Sequence, residues 1–207
     1  MNKINYQKEL DKLIEQNMRE DLSPSLLLHS CCAPCSSYTI EYLSQFFKIT
    51  VLYYNPNISP KEYEKRKSEQ LRLIGEMKTK YPVSFLDCDY DYNEFLDVAR
   101  GYELCKEGGE RCFRCYRLRL EKTAKLAKKN NFDYFCTTLS ISPLKNSQKI
   151  NEIGFELEKE LDVKWLPSDF KKKEGYKRSI VLSKEYNLYR QNFCGCAYSK
   201  AQSVENK

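Results

Sequence analysis

Leu26-Leu27-Leu28-His29-Ser30-Cys31-Cys32-Ala33-Pro34-Cys35 decides how the chain is read. The three leucines predict a strand over residues 26–30. The amphipathic segment from Ser36 to Phe46 predicts the helix that follows. Three thiols therefore fall in the turn between a first strand and a first helix. In an open α/β sheet the loops at the carboxyl ends of the strands form the ligand crevice. A helix N-terminus there offers free N–H groups and the positive end of a dipole, which favours thiolate over thiol.

Outward from that turn the same alternation continues. Leu10, Leu13, Ile14 and Met18 predict a charged helix over residues 1–22, broken at Asp21-Leu22-Ser23-Pro24. Residues 48–54 are β-branched and aromatic and read as a second strand, closed by Asn55-Pro56-Asn57-Ile58-Ser59-Pro60. A helix over 61–80, a strand over 82–87 and a short helix over 93–99 follow. Arg111-Cys112-Phe113-Arg114-Cys115 opens a long basic helix to about residue 129. A strand over 132–138, a helix over 147–161 and a strand over 163–166 complete the series. This alternation predicts an α/β fold, a parallel sheet with helices on both faces. No internal repeat interrupts it.

The organisation expected is a single domain over 1–207. It has an N-terminal helix (1–22), an α/β core (26–168) and a basic C-terminal extension (169–207). The extension holds the basic run 170–178, a helix over 179–189, Cys194-Gly195-Cys196, and frayed residues after Ala197.

Hydrophobic residues at 41% suffice for an ordinary core, and only 7 Gly and 7 Pro argue against a disordered or fibrous chain. The net charge of +6 fits a polyanionic partner such as RNA without demanding one. The N-terminus has no apolar signal core, and no run is long enough to cross a bilayer, so a cytoplasmic protein with no membrane partner is expected. In that compartment ten cysteines read as metal ligands or redox groups rather than a disulfide framework. No G-x-G-x-x-G follows a strand and no Walker loop is present, so no bound nicotinamide or flavin is signalled and electrons come from an external donor.

Cys112-x-x-Cys115 at a helix start suits two ligands of one metal or cluster. With Cys31 and Cys32 it makes a four-thiolate set, which fits a tetrahedral zinc or an iron–sulfur cluster. Adjacent cysteines diverge, which suits a cluster better than a single ion. Cys35 completes that cluster, holds a second metal beside it, or stays free. Cys136 reads as a buried thiol, as does Cys88, while Cys105 stays open. Cys194-Gly195-Cys196 allows a strained, easily reduced disulfide, or else two further zinc ligands or a terminal pair without a role. His29 is the only histidine, a structural residue or a site residue. The run around Lys171, Lys177 and Arg178 is a solvated charge cluster or a substrate-phosphate contact.

Five motifs occur in series: His29-x-Cys31-Cys32-Ala33-Pro34, Tyr54-Asn55-Pro56-Asn57-Ile58, Arg111-Cys112-x-x-Cys115-Tyr116-x-x-Arg119-Leu120, Thr137-Thr138-Leu139-x-Ile141-Ser142-Pro143 and Tyr189-Arg190-Gln191-x-x-Cys194-Gly195-Cys196. From Leu26 to Cys196 the chain resembles the cobalamin-independent epoxyqueuosine reductase family. The resemblance implies a fold similar to the adenine nucleotide α-hydrolase (HUP-like) type. It implies reduction of epoxyqueuosine to queuosine at the wobble position of tRNA, the last step of queuosine biosynthesis. It further implies a [4Fe–4S] cluster on Cys31, Cys32, Cys112 and Cys115, a redox-active disulfide of Cys194 and Cys196, and a second mononuclear iron with Cys35 as its extra ligand. On this reading that iron binds the epoxide oxygen as a Lewis acid, and the Cys194–Cys196 dithiol refills the centre. A flipped-out base enters a pocket, with Lys171, Arg178 and Arg190 meeting the anticodon stem-loop. Asn55, Asn57, Ser140 and Ser142, on strand-end loops, either shape that pocket or only form turns. The competing expectations are a structural Zn(Cys)₄ RNA-binding module without redox activity and, more weakly, a thiol–disulfide oxidoreductase acting on proteins.

Overall fold

The computed structural model describes residues 4–191 and 193–205. Five strands form one sheet: β1 (Ser25–His29), β2 (Lys48–Leu52), β3 (Ser84–Leu86), β4 (Tyr134–Thr137) and β5 (Lys164–Trp165). All neighbours run parallel, in the order β3-β2-β1-β4-β5. Leu28 of β1 stands opposite Val51 on one side and Cys136 on the other. Leu26, Leu27 and Leu28 are all fully buried, as a strand covered on both faces requires. The chain leaves β1 for β2 in one direction and β4 for β5 in the other. The topological switch point therefore lies between β1 and β4, and a crevice opens at their carboxyl ends.

Eight helices accompany the sheet among the described residues: α1 (Tyr6–Arg19), α2 (Ala33–Leu43), α3 (Pro60–Glu76), α4 (Tyr92–Ala99), α5 (Glu110–Lys129), α6 (Ser147–Leu161), α7 (Gly175–Glu185) and α8 (Ala197–Glu205). Right-handed crossovers running in opposite directions put α2 and α3 on one face and α5 and α6 on the other. The packing agrees: α2 lies against α3 and α7, and α5 against α4 and α6. Among the described residues, no helix is long and apolar enough to cross a membrane.

Four differences from the sequence expectation bear on the site and its surroundings. Helix α2 starts at Ala33 rather than Ser36. Cys32 is its extended N-cap, and Pro34 sits in the first turn, where its missing N–H has no partner to lose. Cys35 therefore stands on the helix itself. Helix α3 stops at Glu76 because Met77 turns extended (φ −71°, ψ 131°). Helix α7 begins at Gly175 and ends at Glu185, so the basic run is split between a turn and a helix start. A Cβ on Gly175 would lie 2.1 Å from the Phe170 carbonyl oxygen and 2.4 Å from the Tyr38 ring, so only glycine lets α7 lie so close to α2. The residues after Ala197 form α8 rather than fraying, because Tyr198 packs on Phe95 of α4 (ring centroids 6.1 Å apart). Residues 1–3 of the expected first helix, and 206–207, lie outside the described residues.

Candidate active site

The turn after β1 and the first turn of α2 bring Cys31, Cys32 and Cys35 together, with their sulfurs all within 4.8 Å of one another. The Cys31 and Cys32 sulfurs are 3.9 Å apart. The Thr138 hydroxyl donates to Cys31 Sγ at 3.4 Å and accepts from the Cys31 amide at 3.2 Å. It belongs to the 3₁₀ turn Thr138–Ile141 that follows β4, so both strands at the switch point hold this thiol. Hydrogen bonds from Cys32 and Cys35 hold Cys31 well below the usual thiol pKa. The same contact pushes Cys32 up to about 12, and Cys35 is raised by both neighbours. Negative charge in this trio settles on Cys31. Three clustered sulfurs of this kind are able to hold a metal ion.

The first turn of α5 supplies Cys112 and Cys115, both nearly buried. The Gly108 amide donates to Cys112 Sγ at 3.2 Å. Burial raises both thiols, Cys115 to about 11.

Arg119, one turn further along α5, links this pair to β1. Its Nε donates to His29 Nε2 at 3.2 Å, its Nη2 donates to Asn55 Oδ1, and it hydrogen-bonds the Cys115 side chain. Asn55 is fixed in turn by donating from Nδ2 to the Ser30 carbonyl at 2.9 Å. Burial first, then the Arg119 charge, lowers the His29 pKa to about 3, so the imidazole is neutral. The Tyr54 carbonyl also lies 3.0 Å from Nε2, but Arg119 Nε always carries its proton and decides the tautomer. Nε2 accepts, and Nδ1–H donates to Thr137 Oγ1 at 2.7 Å. Arg119 is only 1% exposed. A buried guanidinium is costly without anionic partners, and among the described residues no carboxylate pairs with it. Burial opposes its charge, and Cys115, Cys31 and Cys194 outweigh that. The Arg119 charge thus favours thiolate at Cys31, Cys115 and Cys194, the ligand form that iron–sulfur clusters and zinc both require.

Cys194-Gly195-Cys196 closes the crevice. All ten cysteines are free thiols. Cys194 lines a cavity of about 560 Å³. Cys196 points away from it, 6% exposed, and packs with Cys115 and Phe95. Gly195 has φ +107°, and a Cβ there would lie 2.9 Å from Arg66 Nη1 and 3.0 Å from Ile58, so the turn needs glycine. Arg66 is buried, pairs with Glu62 at 2.7 Å and donates to the Cys194 carbonyl at 3.3 Å. Lys145 Nζ lies 3.3 Å from Cys194 Sγ and 3.0 Å from Glu107 Oε1. The hydrogen bond from Cys196, then, against burial, the charges of Lys145 and Arg119, lower Cys194 to about 5.

Among the described residues the cavity wall carries Arg66, Arg119, Lys145 and Arg190 against the single carboxylate Glu107, so it is cationic. Of the pocket residues expected from sequence, Ser142 and Arg190 are on this wall. Arg190 lies over the Tyr176 ring, 5.5 Å from its centroid. Asn55, Asn57 and Ser140 are buried and absent from the lining. Ser140 contacts Ser168 at 3.2 Å, and Asn57 Oδ1 has no hydrogen-bond partner. Lys171 donates to the Ser140 carbonyl at 2.9 Å and lines a neighbouring cavity. Arg178 is held by Glu41 at 2.9 Å, off the lining. Cys136 is fully buried in β4 and contacts the Leu166 carbonyl at 3.3 Å.

Sequence reasoning left out Arg119, Arg66, Lys145 and Glu107 as site residues. Arg119 was legible, because it lies four residues past Cys115 on the same helix face. Nothing in local spacing points to Lys145 or Glu107, which reach Cys194 only through the fold.

A family model described as "Epoxyqueuosine reductase QueH" matches residues 26–202. The chain belongs to the epoxyqueuosine reductase QueH family. The enzyme of that name from Streptococcus pyogenes serotype M1 is 47% identical over 207 residues, covering 98% of this chain and 81% of the relative. That from Staphylococcus aureus is 45% identical over 205 residues, covering 97% and 85%. Among solved structures, the U34-tRNA thiolase NcsA from Methanococcus maripaludis with its [4Fe–4S] cluster aligns with a TM-score of 0.48 and 12% identity, over 95% of this chain and 73% of that one. Membership in the QueH family makes the chain an oxidoreductase of queuosine biosynthesis, and the redox-inactive zinc module expected as the alternative gives way to it.

Proposed function

We propose that this chain reduces epoxyqueuosine to queuosine at the wobble position of tRNA in the cytoplasm, drawing electrons from an external donor. The reaction takes two electrons and two protons, turns the epoxide into an alkene and releases its oxygen as water. Cys31, Cys32, Cys112 and Cys115 hold a [4Fe–4S] cluster, and Cys35 a second iron. When bound, the cluster supplies low-potential single electrons and the second iron a Lewis-acid site for oxygen.

The observation that carries this reading is the buried Arg119. It stands among thiols of three separate segments, with no carboxylate among the described residues to neutralise it, and lines a cavity large enough for a base. The chain's own residues then have distinct tasks. Neutral His29 and Asn55 hold the guanidinium in place. The Arg119 charge favours thiolate at Cys31, Cys115 and Cys194. The cationic wall receives a base out of the single-stranded anticodon loop, with Arg190 meeting its phosphate. The Cys194–Cys196 dithiol stores two electrons beside the cluster ligands.

Anaerobic purification with iron, sulfide and zinc analysis, followed by assay on epoxyqueuosine-bearing tRNA, tests this. About four irons and four sulfides per chain, any further iron, and formation of queuosine are expected. One zinc, no sulfide and no turnover would overturn it.

A further inference from the structure

The two sulfurs of Cys194-Gly195-Cys196 have different surroundings, and a chain of contacts fixes the difference. Ser199, in the first turn of α8, donates its amide to Cys196 Sγ at 3.3 Å and its hydroxyl to Glu107 Oε2 at 2.7 Å. Glu107 Oε1 holds Lys145 Nζ at 3.0 Å, and Lys145 Nζ reaches Cys194 Sγ at 3.3 Å. The Lys145 side chain is 7% exposed, so this cation is committed to the cavity rather than to solvent. Cys194 faces the cavity, while Cys196 is buried against Cys115 and Phe95. A molecule arriving through the cavity meets Cys194 first.

We infer that Lys145, held by Glu107, is a positioning residue that makes Cys194 the exchange sulfur of the pair, the one that joins an incoming dithiol reductant, with Cys196 as the resolving sulfur. This rests on the reading of Cys194 and Cys196 as a redox couple. One thiolate of the reductant attacks Cys194 in the Cys194–Cys196 disulfide, forming a mixed disulfide and releasing Cys196 as thiolate, which takes a proton. The second thiolate of the reductant attacks its partner sulfur, closing the reductant's own disulfide and releasing Cys194 as thiolate. Two electrons pass to the enzyme and the reductant leaves oxidised. Lys145 acts in the second step, where a stabilised thiolate leaves faster.

The charged and titratable groups around Cys194 act together. Lys145 and Arg119 favour its thiolate, Glu107 opposes it, and Cys196 donates a hydrogen bond to it. Cys112, Cys115 and Tyr116 feel its charge, and Arg66 holds its carbonyl.

Glutathione disulfide on the anaerobic, reduced holoenzyme tests the inference by running the exchange backwards, with peptide mapping after an alkylating quench. Formation of an intramolecular Cys194–Cys196 disulfide in the unaltered enzyme is the first readout. Its failure to form would overturn the redox-couple reading, and the inference with it. With the disulfide formed, Cys196→Ser is expected to trap glutathione on Cys194 at least tenfold faster than Cys194→Ser traps it on Cys196. At pH 8, where Cys194 stays thiolate, Lys145→Met is expected to speed that trapping about threefold, because a less stabilised thiolate leaves more slowly and attacks faster. It should also shift the thiol–disulfide equilibrium about tenfold toward the disulfide, roughly 30 mV more negative. Lys145→Arg should restore most of both. Equal or faster trapping on Cys196, or an unchanged rate and potential in Lys145→Met, would overturn the role of Lys145 while leaving the couple intact. Should Lys145→Met fail to fold, Lys145→Gln, expected to shift both readouts in the same direction, and the trapping ratio in the serine variants decide it.

Discussion

Arg119 Nε stands 3.2 Å from His29 Nε2, and that contact joins the end of β1, which leads into the first three thiols, to the helix bearing the second pair. The imidazole can accept because burial and the guanidinium keep it neutral, with a pKa of about 3. The guanidinium stays charged because sulfurs surround it. Each residue holds the other in the form the site needs.

Replacing Arg119 with lysine keeps a charge and removes the planar fork that spans His29, Asn55 and Cys115. Residues that orient ligands from behind typically carry 10- to 100-fold of metal affinity or activity. Arg119→Lys is expected to fold, to lose queuosine formation by about that factor, and to hold iron less tightly in a chelator competition. Unchanged iron retention would contradict the role given to this contact.

The two arginines named from sequence as tRNA contacts have different surroundings, and salt separates them. Arg190 is exposed on the cavity wall, whereas Arg178 is engaged by Glu41. A phosphate contact contributes a slope of about −0.9 to log affinity against log salt for duplex nucleic acid and about −0.7 for single strands. Arg190→Ala is expected to weaken tRNA binding and reduce the magnitude of the slope by about one contact. Arg178→Ala is expected to leave the slope unchanged. Binding measured from 50 to 300 mM salt, a sixfold change in concentration that shortens the Debye length about 2.4-fold, checks both.

The parallel α/β sheet was legible because Leu26–Leu28, residues 48–54 and residues 132–138 are short apolar runs separated by amphipathic segments. Strand–helix alternation leaves few topologies. The thiol turn was legible for the same reason, since it sits where a strand ends. Helix starts were less so. Cys35 on α2 and Gly175 at the head of α7 depend on a proline and a glycine whose effects are set by neighbours distant in sequence. Lys145 and Glu107 were invisible, because their meeting with Cys194 spans 49 residues in one case and depends on a loop in the other. Local pattern cannot report a contact that only the closed crevice creates.

The proposed function gives Cys136 and Cys112 different roles although both are buried thiols. Cys136 lies in β4 against the Leu166 carbonyl, and burial pushes it up to about 12. Cys136→Ala is expected to cost about 1–2 kcal/mol of stability in urea unfolding and to leave iron content unchanged. Cys112→Ala is expected to lose iron. Burial likewise pushes Cys88 to about 11, so its alkylation should climb about tenfold per pH unit from pH 7 to 10. A flat profile would contradict that environment.

Two glycines offer the same substitution with opposite readouts. In α6, a Cβ on Gly154 would lie 2.3 Å from the Trp165 ring, in the core. Gly154→Ala is expected to cost about 1–3 kcal/mol by overpacking, with turnover per folded molecule unchanged. Gly195 stands at φ +107° between Cys194 and Cys196, with Arg66 Nη1 2.9 Å from the position of a Cβ. An alanine there meets both backbone strain, roughly 1–3 kcal/mol, and a buried guanidinium that Glu62 keeps in place. The turn must open to accept it, which separates the two sulfurs. Gly195→Ala is expected to lower turnover at least tenfold and to slow Cys194–Cys196 disulfide formation, with a stability loss no larger than that of Gly154→Ala. Urea unfolding and single-turnover queuosine formation on both variants decide the matter, and equal turnover in the two would mean that the geometry of the Cys194–Cys196 turn carries no part of the reaction.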